Sequence, residues 1–120
     1  MTEMISFTRE QTYHLYTKAV DMRKDIDSLC GLIREEMGED PNRLNHVYLF
    51  FQKGLKMAKI LYRGYGRYEM LKIRLDDGKF FRPTISEDRL SGKISWSDFV
   101  ALTEGVSQRN ISIKYLDSVI

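Results

Sequence analysis

The stretch from Val47 to Pro83 constrains the fold most strongly, because apolar and polar residues alternate there between three glycine-containing turns. Each turn places a glycine where a reversing backbone needs a positive φ. The turns are Gln52-Lys53-Gly54, Gly64-Tyr65-Gly66 and Asp76-Asp77-Gly78-Lys79. The intervening segments are rich in β-branched and aromatic residues, which favour strands. We therefore predict an antiparallel meander of four strands, at Val47–Phe51, Met57–Arg63, Arg67–Leu75 and Phe80–Arg82.

The register of the central hairpin can also be predicted. If Tyr65 and Gly66 form a two-residue loop, Ile60 lies opposite Leu71. One face of the hairpin is then apolar and the other basic, whereas a shift of one residue would mix the two faces. The predicted pairs are Met57 with Arg74, Ala58 with Ile73, Lys59 with Lys72, and Ile60 with Leu71.

Positive charge is concentrated in the same stretch. Residues 47–83 contain 9 basic and 3 acidic side chains, against 6 and 9 in residues 1–46 and 4 and 5 in residues 84–120. Like charges directly opposite each other destabilise a sheet, so Lys59 beside Lys72 favours an anionic partner for this face. A solvated face that confers solubility is the alternative.

Length and composition limit the class of protein. The chain has 120 residues, which suits one soluble globular domain, and its 42% hydrophobic residues can supply a core. The single cysteine, Cys30, cannot form an internal disulfide, and we expect it to pack in a helix face. No apolar run is long enough to span a bilayer, and the first ten residues lack a secretory signal, so we expect an intracellular protein.

An amphipathic helix is predicted before the meander. Asp21 is a natural N-cap, and Gly38 followed by Pro41 suits the C-terminal end. The apolar residues of this helix fall on one face: Met22, Ile26, Leu29, Cys30, Ile33 and Met37. We expect this face to cover the side of the sheet that carries Ile60, Leu71 and Ile73.

The two ends of the chain carry weaker signals. Residues 12–16 fit either a strand or a helix capped by Thr8 and Gln11. After Pro83 we predict a loop as far as Lys93, then a short helix that opens at Ser95 or Ser97, is anchored by Trp96 and ends near Gly105. Residues 1–106 should form a single domain, with residues 107–120 as a tail that is mobile or holds a strand at Ile111–Leu116.

No pattern typical of an enzyme is found. The acidic residues do not converge, since Asp21 and Asp25 share a helical face but Asp27 points away. His14 and His46 have neither zinc-site spacing nor a nearby cysteine, and we expect packing or surface roles. The glycines at 64 and 66 lack the third glycine of a dinucleotide site. We therefore predict no catalytic residue, no metal and no cofactor.

Several segments resemble one family in order and spacing over roughly residues 12–106. They are Tyr13-His14-Leu15-Tyr16, Asp21 to Leu32, Val47–Phe51, Lys59-Ile60-Leu61, Arg74-Leu75, Gly78-Lys79-Phe80, and Ser95-Trp96 to Glu104-Gly105. The chain resembles the accessory protein encoded beside the transposase in insertion sequences of the IS66 type. This resemblance favours a strand at residues 12–16.

The chain departs from that family at three places. The family usually has glycine at the positions of Asp25 and Ser28, and a tryptophan followed by an acidic residue near Arg63-Gly64. These departures make the hairpin tip of this chain more basic.

The predicted strands and helices make a small single-domain α+β fold, which we expect in the bacterial cytoplasm. The resemblance implies a role in transposition, with DNA or the transposase as partner and no established catalytic residues. Our leading hypothesis is a non-enzymatic accessory protein that binds nucleic acid through the basic sheet face. The predicted contacts are Lys56, Lys59, Arg63, Arg67, Lys72 and Arg74 to phosphates, with Tyr65 and Tyr68 stacking on bases. The alternative for the tyrosines is ordinary strand packing. The alternative function is a protein-interaction module that docks on the transposase through an edge strand or the Trp96 helix.

Overall fold

A five-stranded mixed sheet with two helices forms the fold in the computed structural model, which describes residues 7–81 and 91–104. Its spatial strand order is β4-β3-β2-β1-β5. The strands are β1 (Thr12–Ala19), β2 (His46–Phe51), β3 (Met57–Gly64), β4 (Arg67–Arg74) and β5 (Ser91–Ile94), and the helices are α1 (Ile26–Leu32) and α2 (Trp96–Glu104). The predicted α+β class is confirmed. The predicted tail strand lies outside the described residues.

The β3–β4 hairpin has the predicted register. Ile60 pairs with Leu71 and Lys59 with Lys72. The strands are joined through Tyr65 and Gly66, and Gly66 adopts a φ of 73° that few other residues tolerate. β2, β3 and β4 therefore form the expected antiparallel meander.

The sheet as a whole is mixed. β1, the predicted strand at residues 12–16, extends to Ala19 and pairs in parallel with β2. A parallel pair needs a crossover connection, and α1 lies in the segment that provides it. β5 pairs antiparallel with the outer side of β1, although its segment was predicted to be a loop.

The fourth strand of the predicted meander is absent from the described part of that segment. Residues 79–81 form no strand, and Arg82 lies outside the described residues. Phe80 instead donates its backbone N–H to the carbonyl of Leu55 at 2.7 Å, and its ring packs against Phe51. The first predicted turn also differs, because the positive φ falls on Leu55 rather than on Gly54.

Helix α1 begins four residues later than predicted. Asp25, not Asp21, is the N-cap, and its carboxylate accepts a hydrogen bond from the backbone N–H of Ser28 at 2.9 Å. Asp21 instead pairs with Arg23. The helix continues as one π-helical segment, Ile33–Met37, and Gly38 ends it with a left-handed φ of 68°.

The two faces of the sheet bury separate clusters. The apolar stripe of α1 is buried as predicted, but it packs on the opposite face of the hairpin, against Leu61 and beside Met57 and Met70. Ile60 and Ile73 belong to the other cluster, with Phe99 and Leu102 of α2. The prediction that α1 covers the Ile60 face is therefore wrong. The apolar stripe of α1 also fits the opposite face, where Met57, Leu61 and Met70 alternate with basic residues.

Helix α2 begins after Ser95, which is one of the two predicted starting residues, Ser95 and Ser97. Ser95 accepts a hydrogen bond from the backbone N–H of Asp98 at 3.0 Å, so it acts as the N-cap. Trp96 packs against the cluster that contains Phe99 and Leu102, and it donates its indole N–H to the carbonyl of Phe7. The guanidinium of Arg9 lies over the indole ring, 4.4 Å from the ring centre. The predicted anchoring by Trp96 is observed.

Candidate functional site

Lys59, at the centre of the predicted basic face, is not available to a partner. It is only 4% exposed, and its ammonium group donates a hydrogen bond to the backbone carbonyl of Lys24 in the segment before α1. Burial, together with the charge of Lys72, lowers the pKa of Lys59. The prediction that Lys59 projects toward an anionic ligand is therefore corrected, because α1 covers this face.

The other predicted contacts fall at the two ends of the hairpin. Arg63, Tyr65, Arg67 and Tyr68 lie at or next to the β3–β4 turn, whereas Lys56 and Arg74 lie at the opposite end. At about 3.3 Å per residue, the eight residues of β3 separate these ends by about 25 Å. The predicted site is thus divided rather than continuous.

At the hairpin tip, intramolecular contacts occupy most of the predicted residues. The guanidinium of Arg63 lies 4.6 Å from the ring centre of Tyr68, whose hydroxyl donates a hydrogen bond to Asn42. Arg67 forms an ion pair with Glu69 at 2.8 Å. Tyr65 differs, since it is 88% exposed and available for stacking.

At the opposite end, basic side chains converge on an open groove of about 740 Å³. Lys56 and Arg74, both predicted, are joined there by Lys53 and Lys79. All four are exposed, and Asp76 is the one acidic side chain among the described residues that line the groove. The remaining lining residues are Gln52, Gly54, Met57 and Leu75.

The backbone explains why these four side chains meet. Leu75 donates its N–H to the carbonyl of Lys56 at 2.9 Å, which extends the β3–β4 ladder past Arg74. The bond from Phe80 to Leu55 then brings the turn that carries Lys79 back beside the β2–β3 turn. Lys53 and Lys79 were absent from the predicted contacts. Their position in two turns of the basic stretch is the sequence feature that could have identified them as contacts.

Lys72 stands apart from both ends. It is exposed, and it lies opposite the buried Lys59 in the β3–β4 ladder. It is two pairs further from the groove than Arg74.

Two histidines meet on the α1 side of the sheet. His14 Nε2 and His46 Nδ1 are 2.8 Å apart, and the two residues are 2% and 8% exposed. With Glu39 they form the one group of three potential metal ligands found among the described residues, all ligand atoms lying within 4.8 Å of one another. Burial lowers the pKa of His14 to about 4 and lowers that of His46. Sequence reasoning missed this group because 32 residues separate the histidines.

The chain also matches a known family. The model of the IS66 Orf2-like proteins matches residues 11–112. This chain belongs to the IS66 Orf2-like family. A search of curated proteins and a search of solved structures returned no match.

Membership of the IS66 Orf2-like family confirms the resemblance seen in the sequence and supports a transposition-associated accessory role. It also associates the protein with the transposase and DNA machinery of such elements. In the part of the chain that the structure describes, neither helix is long and apolar enough to cross a membrane.

Proposed function

We propose that this IS66 Orf2-like protein is a non-enzymatic accessory protein of transposition that binds nucleic acid in the bacterial cytoplasm. The observation that carries this proposal is the groove at the β2–β3 turn, where Lys53, Lys56, Arg74 and Lys79 surround a single carboxylate, that of Asp76. The phosphate contacts predicted along the whole hairpin face are thereby limited to the end that carries the groove.

The chemistry of the groove suits a phosphate backbone. Lysine and arginine neutralise phosphates, and such contacts give affinity that depends little on base sequence. The side chains come from two turns and a strand end, so they can follow a curved backbone. Among the described lining residues there is no second carboxylate beside Asp76, whereas two-metal nucleases need several to hold their ions. This supports binding rather than cleavage.

Salt dependence of binding tests the proposal. Fluorescence anisotropy would measure affinity for labelled element-end duplex, random duplex and single strands. If four phosphates of a duplex are contacted, log affinity falls with log salt at a slope of about −3.6, so affinity drops roughly 150-fold between 50 and 200 mM salt. Lys53→Ala or Lys79→Ala should reduce the slope to about −2.7 and the drop to roughly 40-fold.

Two matched variants control for the loss of charge alone. Arg67→Ala removes an exposed cation that is already paired with Glu69, and Lys59→Met removes a buried one. Both should keep the slope of the unmodified protein. Equal slopes for Lys53→Ala, Lys79→Ala and Arg67→Ala would contradict a groove-specific contact. Tyr65→Ala should weaken binding to single strands only, since stacking needs exposed bases.

Docking on the transposase is the second candidate, and β4 supports it. Among the described strands β4 pairs only with β3, so its outer edge can accept another strand, and Leu71 beside that edge is 40% exposed. Purified transposase, immobilised and free of DNA, should then retain the unmodified protein and Lys53→Ala but lose Leu71→Glu. Retention of Leu71→Glu at the unmodified level would exclude docking on β4.

A further inference from the structure

His14 and His46 form a buried pair on the α1 side of the sheet. Each imidazole is a polar ring almost entirely removed from solvent, and the two facing nitrogens share one hydrogen bond at 2.8 Å. Burying polar groups costs free energy unless they gain partners, and two neutral imidazoles satisfy only one donor and one acceptor through this contact.

The fold fixes both rings. In the parallel β1–β2 ladder Thr12 pairs with His46 and His14 pairs with Tyr48, so both histidines project from the same face. The ring of Tyr48 is parallel to that of His14, with centres 4.6 Å apart and an angle of 11° between the planes. Asn45, directly before His46, has a positive φ of 66°, which asparagine tolerates better than most residues other than glycine.

The C-terminal end of α1 places the carboxylate of Glu39 beside the two histidines. The helix widens to a π-helical turn, which occurs often at functional sites, and Gly38 then reverses the backbone. The N–H of Glu39 bonds back to the carbonyl of Ile33 at 3.1 Å, and its side chain lies beside the imidazoles. Among the described residues its one ion pair is a long one, 3.5 Å, to Arg43.

We propose that His14, His46 and Glu39 form a binding site for a divalent transition-metal cation of the zinc class. Two imidazole nitrogens and one carboxylate oxygen are a ligand set that holds Zn²⁺ with one position left for water or another ligand. Zinc–nitrogen bonds of about 2.0 to 2.1 Å put two ligand nitrogens about 3.3 Å apart, so the histidines must separate by roughly 0.5 Å. Glu39, at the rim of the site, can approach by a rotation of its side chain.

The charges around the site act in opposite directions. Glu39 attracts a cation, whereas Arg43 and Lys93 lie close enough to disfavour the protonated forms of the histidines. The same two groups disfavour a bound dication, which makes the carboxylate of Glu39 necessary. We therefore expect affinity to depend strongly on Glu39.

Titration of the tag-free protein with ZnCl₂, and with CoCl₂ as a spectroscopic probe, tests the proposal. One equivalent should bind with a dissociation constant on the order of 1 μM or below, weaker than a structural site with four ligands. Cobalt should give the visible spectrum of a tetrahedral site without a thiolate band, since Cys30 is not a ligand. The ¹⁵N resonances of His14 Nε2 and His46 Nδ1 should shift on zinc binding.

Two variants separate this site from adventitious binding. Glu39→Gln should weaken zinc binding about 10- to 100-fold. Glu35→Gln, which removes an exposed carboxylate from the π-helical segment just before Glu39, should leave zinc binding unchanged. His46→Gln should abolish binding. If that variant does not fold, Glu39→Gln still decides. No binding at 100 μM zinc, equal effects of Glu39→Gln and Glu35→Gln, or a thiolate band would overturn the proposal.

Discussion

A comparison of Leu61→Ala with Leu71→Ala tests which face of the hairpin helix α1 covers. The two leucines lie on neighbouring strands but on opposite faces. Leu61 is 1% exposed and shares a cluster with Leu29 and Ile33 of the helical segment, whereas Leu71 is 40% exposed. The helix position predicted from sequence would reverse these environments.

The expected magnitudes follow from burial. Leucine to alanine removes three carbons, worth about 0.8 kcal/mol each when fully buried, or about 2.4 kcal/mol. At Leu61 the cavity left under the helix adds to this, which gives about 3 to 5 kcal/mol in total. At Leu71 about 60% of the residue is buried, so the loss should be at most about 1.4 kcal/mol, with no cavity.

Urea unfolding followed by tryptophan fluorescence and far-ultraviolet circular dichroism measures both losses. The m-values must agree among the three proteins for the comparison to report native-state stability. A loss for Leu71→Ala equal to or above that for Leu61→Ala would refute the observed packing and restore the helix to the Ile60 face.

Two further changes test local features by the same unfolding measurement. Gly31→Ala, inside α1 with nothing within 4 Å of an added Cβ, should raise the free energy of unfolding by about 0.5 to 1 kcal/mol, whereas Gly38→Ala, at a φ of 68°, should lower it by about 1 kcal/mol. Equal effects would show that the helix does not end at Gly38. Burial raises the pKa of Asp98, one of whose oxygens has no hydrogen-bond partner among the described residues, so its ionised form is less favourable in the folded state. The stability that this raised pKa contributes is present in acid and is lost as pH rises through the pKa of the folded state. Asp98→Asn should therefore stabilise the protein at pH 7 and not at pH 3. Destabilisation at pH 7 would contradict this prediction.

The β3–β4 hairpin could be predicted because its information is local. The Tyr65-Gly66 turn fixes the pairing, and the period of two then fixes the face of each side chain. Local patterns also predicted the buried stripe of α1 and a helix start at Ser95 or Ser97, of which the structure has Ser95. These features depend on residues close together in the chain.

The burial of Lys59 could not be predicted in this way. Its neighbours on the same face include Met57 and Leu61, so the hairpin presents apolar side chains on both faces, and only long-range packing selects the one that α1 covers. Lys59 remains under the helix because its ammonium finds the carbonyl of Lys24. The local pattern of charge does not distinguish a buried lysine that has a distant backbone acceptor from an exposed lysine.

The histidine pair was hidden for a related reason. Metal sites are recognised in sequence by short ligand spacings, and here the spacing is set by a parallel strand pair joined through a helix. Neither the parallel pairing of β1 with β2 nor the π-helical end of α1 was predicted. Without both, His14, His46 and Glu39 are three unrelated positions.

The same parallel pairing places the two proposed sites at opposite ends of β2. His46 begins this strand, and the groove lies past Phe51 at its other end, so about 17 Å of strand separates them at about 3.3 Å per residue. Zinc and phosphate contacts therefore share no side chain, and at physiological salt this separation exceeds the Debye length of about 8 Å. It follows that Glu39→Gln should leave the salt slope of nucleic-acid binding unchanged, and Lys53→Ala should leave zinc affinity unchanged. Because the two readouts are separable, failure of either proposal would leave the other standing.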